Sequence, residues 1–262
     1  MIVFSAICPH PPILIPTIGK DNLDKIKDTV KALKNLESEL YASKPDVILV
    51  ISPHGEIIPD AFSINLNSDY KANFEEFGDF TTKLEFRSSP MLVLHLKERV
   101  ENQLPLVLSS ADKLDHGVAV PLFYLTKHLK NIEVIPLAFS LLDYDKHFQL
   151  GQLLKKELVK SDKRVAIIAS GDLSHVLTKD APAGYSPKGA EFDAKLINLL
   201  KRKDMRGILN LDHKLIEEAA ECGLRSFLIL LGIIEEYKYD IDVLSYEGPF
   251  GVGYLVANFK LV

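Results

Sequence analysis

Three of the eight histidines come directly after apolar segments and are surrounded by residues that form turns. They are His10 in the motif CPHPP, His54 in SPHG and His175 in GDLSH. In an α/β protein with an open sheet, ligands bind in the crevice beyond the carboxyl ends of the strands. Imidazoles that reach this crevice from separate strands can bind one metal ion or one substrate. The placement of these histidines therefore predicts a mononuclear metal site.

The loops around His10 and His54 are suited to holding an imidazole in place. Prolines flank His10 and precede His54, and each proline restricts φ, so the loop loses little entropy when it binds a ligand. Gly55 lets the backbone pass close to whatever His54 contacts. One such histidine is most simply interpreted as an exposed turn residue, but two with the same surroundings favour a shared site.

Two other positions have both a functional and a structural interpretation. Asp172 can orient His175 by a hydrogen bond, as acid/base and metal-binding imidazoles require, or it can cap a turn. His116 follows Asp115 in the segment LDHGVAVPL, directly before a predicted helix. Asp115 can cap that helix and leave His116 in solvent, or His116 can contact a substrate. The remaining histidines are predicted to lie on the surface: His95, His128, His147 and His213.

Composition and charge exclude several classes of protein. The 262 residues carry a formal charge of -5 and a pI near 5.9 without a basic stripe, so we expect no nucleic-acid partner. The longest apolar stretch, 227–234, is shorter than the ~20 residues of a membrane-spanning helix. No signal peptide is predicted, and we expect a cytoplasmic protein with no membrane partner. Two cysteines, Cys8 and Cys222, cannot form a framework of disulfides.

Apolar strands alternate with amphipathic helices, which is the pattern of a layered α/β fold. The predicted strands are 2–7, 47–51, 62–66, 83–86, 105–108, 133–138 and 165–169, with 62–66 and 83–86 half exposed. The predicted helices are 21–42 with Asp21 as its N-cap, 90–100, 118–129, 144–159, 189–202 and 214–237. We expect one domain of residues 1–262 with three layers, α/β/α. Its mixed, largely parallel central sheet should end in a C-terminal hairpin of 241–245 and 251–259.

Five motifs resemble, in order and rough spacing, the catalytic B subunit of class III extradiol ring-cleaving dioxygenases. They are PHP at 9–11, SPHG at 52–55, DHGVAVPL at 115–122, SGDLSH at 170–175 and ECGLRS at 221–226. This family includes protocatechuate 4,5-dioxygenase and the related Memo proteins, and the resemblance covers nearly the whole chain. It is greatest to the dioxygenase-like domain that often precedes an AMMECR-type domain in longer polypeptides.

The resemblance implies a role for each of four histidines. His10 and His54 match the two histidines that bind Fe(II) in the dioxygenases. His175 matches the acid/base of the active site, and His116 matches a histidine near the substrate. The implied reaction opens the ring of a catecholic substrate with O2, while His175 moves protons.

The third metal ligand is where this sequence departs from the dioxygenases. Their glutamate ligand falls on Arg225, which stays protonated and has no free lone pair. Cys222 matches a metal-binding cysteine of Memo proteins, and Glu218 lies one helical turn earlier, on the same face of the predicted helix. Glu221 is a further candidate. Without the resemblance, Cys222 would be interpreted as a small buried residue and the glutamates as a solvated acidic face.

The identity of that ligand decides the function. Two histidines and a carboxylate favour Fe(II) that activates oxygen, whereas a thiolate favours Zn or Cu. The leading hypothesis is an Fe(II)-dependent extradiol dioxygenase. The alternatives are a Memo-like metal-binding adaptor without ring cleavage and a metal-dependent hydrolase. The expected partners are a catecholic small molecule and O2, with a second copy of the chain or an AMMECR-type domain as candidate protein partners.

Overall fold

A computed structural model describes residues 1–262, in which strands and helices alternate along most of the chain. The strands are β1 (Ile2–Cys8), β2 (Val47–Ser52), β3 (Phe62–Asn65), β4 (Asp69–Phe74), β5 (Asp79–Ser88), β6 (Leu106–Ser109), β7 (Glu133–Ala138), β8 (Val165–Ser170), β9 (Tyr239–Glu247) and β10 (Tyr254–Leu261). The helices are α1 (Pro16–Gly19), α2 (Lys27–Ser43), α3 (Pro90–Val100), α4 (His116–Leu125), α5 (Tyr144–Leu158), α6 (Pro187–Lys201), α7 (Met205–Leu209), α8 (His213–Ala219) and α9 (Leu224–Ile234). None of these helices has both the length and the apolar character needed to cross a membrane.

All ten strands belong to one mixed sheet, whose main path is β4-β5-β7-β2-β8-β1-β10-β9. Strand β3 pairs with β6 and β7 away from this path. The central strands β7, β2, β8 and β1 are parallel to one another, and β10 pairs antiparallel with both β1 and β9. The predicted mixed sheet with a C-terminal hairpin is therefore confirmed.

Strand β2 shows why the fold has three layers. All six of its residues are buried. Val47, Leu49 and Ile51 belong to an apolar cluster that includes α3, α5, α6 and α9, whereas Ile48 and Val50 belong to a second cluster that includes α2 and α4. Because successive side chains of a strand point to opposite faces, a strand buried along its whole length must be covered by helices on both sides.

The predictions for two strands differ from the structure. The alternating pattern of 62–66 indicates a half-exposed strand, but β3 is buried throughout because it pairs with β6 on one side and β7 on the other. Strand β4 was not predicted, although Tyr70, Ala72 and Phe74 alternate on its buried face. Its Asp, Asn and Ala residues are depleted in strands, and the hairpin with β5 supplies the stability that they do not.

The N-terminus of α2 is capped from the other end of the chain. Asp21, the predicted N-cap, lies instead in a 3-10 turn, and α2 begins at Lys27. The carboxylate of Glu247 at the end of β9 accepts hydrogen bonds from the backbone N–H of Thr29 at 2.7 Å and from its hydroxyl at 2.6 Å. A carboxylate at this end of a helix satisfies a free N–H and interacts favourably with the helix dipole.

Residues 214–237, predicted as one helix, form two helices separated by a turn. Ala220 has a φ of 50° and ends α8 in the left-handed conformation, and α9 starts at Leu224. The apolar spacing continues through the turn, so periodicity alone predicts an unbroken helix. The turn takes Cys222 out of the helix and orients it independently of Glu218.

His147 is buried in the core, so its prediction as a surface residue is wrong. Its ring packs edge-on against Phe62 and Phe139, with centroids 5.0 and 6.0 Å away. Its Nδ1 and Nε2 atoms each lie 3.0 Å from a backbone carbonyl oxygen, those of Asp143 and Ser140. Burial outweighs these contacts and lowers the pKa of His147 to about 4.

This burial predicts that His147 makes the protein less stable in mild acid. The unfolded chain takes up a proton near the ordinary pKa of 6.5, whereas the folded protein resists protonation down to about 4. The contribution of His147 to stability is therefore lost as the pH falls, by about 2 kcal/mol between pH 7 and pH 5. His147→Gln keeps an N–H donor and does not titrate, so its urea unfolding free energy should change less over this range. An equal change in His147→Gln would contradict the assignment, and His95→Gln on the surface is the control.

Candidate metal centre

Three loops meet at the carboxyl edge of the parallel strands. In the sheet, β8 lies between β1 and β2, with Cys8 beside Ser170 and Ile51 beside Ala169. The residues that follow these strand ends therefore emerge side by side. They are His10 after β1, His54 after β2, and Asp172 and His175 after β8.

The ring nitrogens of His10 and His54 face each other across this edge. Their Nε2 atoms are 3.0 Å apart, and the Sγ atom of Cys222 lies 3.7 Å from Nε2 of His10. The three candidate ligand atoms, one from each residue, all lie within 4.8 Å of one another. Bonds of about 2.0–2.3 Å from nitrogen and sulfur to a transition metal require this kind of spacing between ligand atoms. The donor set therefore fits a single metal ion.

The surroundings of His10 determine which of its nitrogens is free. Its Nδ1 atom is 3.0 Å from the hydroxyl oxygen of Ser170. Ser170 donates its own hydrogen to the backbone carbonyl of Gly117, so its oxygen accepts from Nδ1–H of His10. This tautomer leaves a lone pair on Nε2, the atom that faces His54 and Cys222. A hydrogen bond of this kind is what orients most metal-binding histidines.

A hydrogen-bonded chain holds the loop that carries His54. The backbone N–H of His54 donates to the hydroxyl of Ser52 at 3.1 Å, and Ser52 donates to a carboxylate oxygen of Asp115 at 2.6 Å. Asp115 also caps α4 by accepting from the backbone N–H of Val118 at 3.2 Å. Asp115 therefore has the predicted capping role and, in addition, connects α4 to the His54 loop.

His116 is the first residue of α4 and does not extend freely into solvent. Its ring stacks on that of His54 with a centroid distance of 4.1 Å and an angle of 28° between the planes. Phe77, at the tip of the β4–β5 hairpin, packs edge-on against His116 at 5.3 Å. No sequence pattern predicted that this hairpin would reach the site. The contact depends on the pairing of β5 with β7.

Cys222 reaches the two histidines because two loops touch. The backbone N–H of Asp172 donates to Sγ of Cys222 at 3.3 Å, and the N–H of Cys222 lies 3.4 Å from the carbonyl oxygen of Asp172. A methyl group on Gly171 would lie 2.2 Å from Cα of Gly223, so the loops can approach this closely only with glycine. Their contact places the thiol beside an imidazole 212 residues away in the sequence.

The structure does not bring the acidic candidates to this group. Glu218 stays on α8, where its partly exposed carboxylate lies 3.9 Å from Nζ of Lys214. Contrary to the prediction, Glu218 does not share a helix face with Cys222, because α8 ends at Ala219. Glu221 accepts a hydrogen bond from the backbone N–H of Leu224 at 2.6 Å and so caps α9.

Arg225 lies where the family glutamate was expected, but it packs against aromatic rings. Its guanidinium is 4.6 Å from the ring centroid of Tyr144 and 5.8 Å from that of Phe139. Such stacking is typical of a guanidinium, which is less strongly hydrated than an ammonium group. Cys222 is therefore the candidate third ligand that the structure places beside His10 and His54.

The clustered histidines are neutral at neutral pH. Burial, followed by the neighbouring imidazoles, holds the pKa of His10 well below its usual value. The same two causes lower the pKa of His54 to about 4, and burial lowers that of His116. Neutral imidazoles have the lone pairs that metal binding requires. Burial raises the pKa of the Cys222 thiol, so a cation is needed to favour its thiolate.

His175 is oriented by the turn that ends α8. Its Nδ1 atom lies 2.6 Å from the carbonyl oxygen of Ala220, the residue in the left-handed conformation. Because Nδ1–H donates to this oxygen, Nε2 is left to accept or return a proton. Asp172 does not orient His175. One carboxylate oxygen of Asp172 accepts instead from the backbone N–H of His10 at 3.0 Å, and burial raises the pKa of Asp172 to about 7.

Comparison with known proteins identifies the family to which these features belong. Residues 5–257 match the family described as the catalytic LigB subunit of aromatic ring-opening dioxygenase. The chain belongs to this family. The resemblance inferred from the five motifs is thus confirmed, and LigB extradiol dioxygenases use a catalytic metal ion, typically Fe(II).

The LigB-type chain is similar to several individual proteins. It is 31% identical to a protein of Clostridium acetobutylicum over 97% of its own length and 56% of that protein. It is 32% identical to the 4,5-DOPA dioxygenase extradiol of Beta vulgaris over 66% of each chain. The chain thus spans between about half and two thirds of these two relatives. The crystal structure of the uncharacterized protein JW3007 from Escherichia coli K12 has the same fold, with a TM-score of 0.71 and 18% identity over 98% of this chain and 99% of that one.

Proposed function

We propose that the protein binds one Fe(II) ion through His10, His54 and Cys222 and opens the ring of a catecholic substrate with O2. The observation that carries this proposal is that one candidate ligand atom from each of these three side chains lies within 4.8 Å of the others, at the edge that also presents His116 and His175. The LigB family match supports the reaction class, and we choose Fe(II) over the Zn or Cu that a thiolate favours because LigB extradiol dioxygenases typically use Fe(II). When bound, Fe(II) would supply open coordination positions and electron transfer, so that both atoms of O2 enter the product as the ring opens beside the diol.

The chain's own residues supply orientation and proton transfer. His175 has Nε2 available and would accept the proton of a substrate hydroxyl, then return it as the ring opens. His116 and Phe77 line the cavity beside His54, where an aromatic ring can pack against them. Ser170 and Ser52 hold His10 and the His54 loop, so the ligands lose little freedom on binding.

Oxygen consumption tests the ring-opening proposal directly. The protein is loaded with Fe(II) without oxygen, mixed with a panel of catechols and then exposed to O2. We expect oxygen uptake that depends on both Fe(II) and the diol, with a new absorbance from the ring-opened product. Protein loaded with Zn(II), which has no redox chemistry, is the matched control. Absence of uptake with every diol, in protein that retains Fe(II), would refute ring opening but not metal binding.

Cys222 favours a second candidate function, a Memo-like metal-binding protein without ring cleavage. A thiolate is a softer ligand than a carboxylate and shifts the preference of a two-histidine site toward Zn or Cu. Competition among Fe(II), Zn(II) and Cu(I) for the apoprotein measures this preference. If Cys222→Asp gains oxygen uptake with catechol and the natural protein has none, the thiol is what separates the two functions, and the Memo-like candidate is supported.

A further inference from the structure

The backbone around His175 is held by segments that are distant in the sequence. The N–H of His175 donates to the carbonyl oxygen of Ala219 at 3.0 Å. Gly253, directly before β10, accepts from the N–H of Leu173 and donates to the carbonyl oxygen of Ser174, both at 2.8 Å. The direction in which the chain enters His175 therefore depends on these contacts.

The N–H of Ser174, directly before His175, donates to a side chain of α6. It lies 2.9 Å from Oδ1 of Asp193, and Oδ2 of Asp193 accepts from the hydroxyl of Tyr246 on β9 at 2.6 Å. Asp193 is 1% exposed. A methyl group on Gly253 would lie 2.3 Å from Oδ2, so the surrounding backbone leaves this carboxylate little room to move.

The burial of Asp193 is costly because no cation compensates its charge. Burial raises the pKa of Asp193 to about 6, and only the hydrogen bonds from Tyr246 and Ser174 oppose this shift. Hydrogen bonds recover only part of the hydration that a buried carboxylate loses, so an apolar residue at this position would be less costly for the fold. Ionisable groups of this kind are frequent beside functional sites.

We infer that Asp193 is a positioning residue for His175. By holding the N–H of Ser174, it fixes the backbone that leads into His175, so that Nδ1–H meets the carbonyl oxygen of Ala220 and Nε2 stays free. Tyr246 holds the carboxylate from its other side. This inference rests on the proposed function, in which Nε2 moves a proton. Misplacement of such a group by about 1 Å can lower a rate by about 10²-fold.

Substitution of Asp193 tests this role by steady-state oxygen uptake with catechol. Asp193→Ala loses both hydrogen bonds and should lower kcat by about 10–100-fold, with KM and metal content unchanged. Asp193→Asn should recover most of kcat, since its amide oxygen accepts from Ser174 and its NH2 donates to Tyr246. Asp204→Ala is the matched control, because Asp204 accepts from the backbone N–H of Gly207 at 2.9 Å and caps α7 instead.

Tyr246→Phe tests the same contact with a smaller disturbance. It removes one of the two hydrogen bonds and should lower kcat by about threefold, as a loosened carboxylate predicts. Full kcat in both Asp193→Ala and Tyr246→Phe would overturn the inference. If Asp193→Ala does not fold, full kcat in Tyr246→Phe alone would overturn it.

A double variant shows whether Asp193 acts through His175. His175→Gln already lacks the group that moves the proton, so the addition of Asp193→Ala should lower its kcat by less than about twofold. A further loss as large as that in the natural background would mean that Asp193 acts independently of His175. That result would overturn the inference.

The imidazole of His175 can also be observed without turnover. Long-range proton–nitrogen NMR spectra of the apoprotein show which ring nitrogen carries the hydrogen. The natural protein and Asp193→Asn should show the Nδ1–H form, and Asp193→Ala should show a mixture of both tautomers. An unchanged single tautomer in Asp193→Ala would overturn the inference. If the natural protein consumes no oxygen with any diol, the proposed function is refuted, and this spectrum still decides whether Asp193 positions His175.

Discussion

His10→Ala and His54→Ala are each expected to reduce metal affinity by more than about 100-fold, since loss of a supporting hydrogen bond alone typically costs 10–100-fold. Each substitution removes one of the three candidate ligand atoms that lie within 4.8 Å of one another. The two ligands that remain cannot hold a divalent ion against dialysis. Metal content after dialysis and competition with a chromophoric chelator measure the effect.

Loss of a supporting hydrogen bond should reduce metal affinity less than loss of a ligand. Ser170→Ala removes the acceptor that fixes the tautomer of His10, and it should weaken metal binding by about 10–100-fold, less than loss of the ligand itself. His213→Ala on the exposed surface is the control and should retain the full metal content. His54→Ala should disturb the fold less than His10→Ala, because His54 is exposed whereas His10 is buried. Metal content in His10→Ala and His54→Ala equal to that of the natural protein would disprove the centre.

His175→Ala is expected to keep its metal and lose about 10²–10⁴-fold in turnover, the usual contribution of a general acid or base. Nδ1–H of His175 donates a hydrogen bond to the carbonyl oxygen of Ala220, and His175 is not among the three clustered candidate ligands. Removing it should therefore leave metal content unchanged while taking away the group that moves the substrate proton. Oxygen uptake at saturating catechol, with metal measured on the same sample, separates the two effects.

The pH profile distinguishes a proton-transfer role for His175 from a structural one. If His175 accepts the proton, the rate of the natural protein should fall in acid as the imidazole becomes protonated, and His175→Ala should lose this dependence. His175→Gln can still donate to the carbonyl of Ala220 but cannot transfer a proton, so it should be as slow as the alanine variant. Recovery of turnover in His175→Gln would show that His175 serves only to hold the turn at Ala220.

Much of the site could be predicted because it depends on local sequence. A run of β-branched and apolar residues ends in a turn at Pro9, at Pro53 and at Gly171, and each turn is followed closely by a histidine. Parallel strands place their carboxyl ends on one edge, so three such segments predict a shared crevice before any distance is known. The same local signals predicted the core strands, since a strand buried on both faces is apolar at every position.

The position of Cys222 beside the two histidines could not be predicted in the same way. The apolar spacing of 214–237 is compatible with one helix, and in that helix Glu218 and Cys222 would share a face. A left-handed residue at Ala220 and the contact between Gly171 and Gly223 separate them instead. Neither feature can be predicted from the local sequence. Alanine rarely adopts a positive φ, and nothing in the sequence shows that Gly171 and Gly223 are in contact.

The burial of His147 and the stacking of His116 were likewise decided by the tertiary structure. His147 lies in an amphipathic helix and His116 begins an apolar one, and in both cases only the neighbouring elements determine what covers the imidazole. The sequence by itself determined the layered fold and the histidines that come together at the carboxyl edge of the parallel strands. The tertiary structure decided that a thiol and not a carboxylate lies beside the two histidines, because this placement depends on two loops packing together across 50 residues of chain.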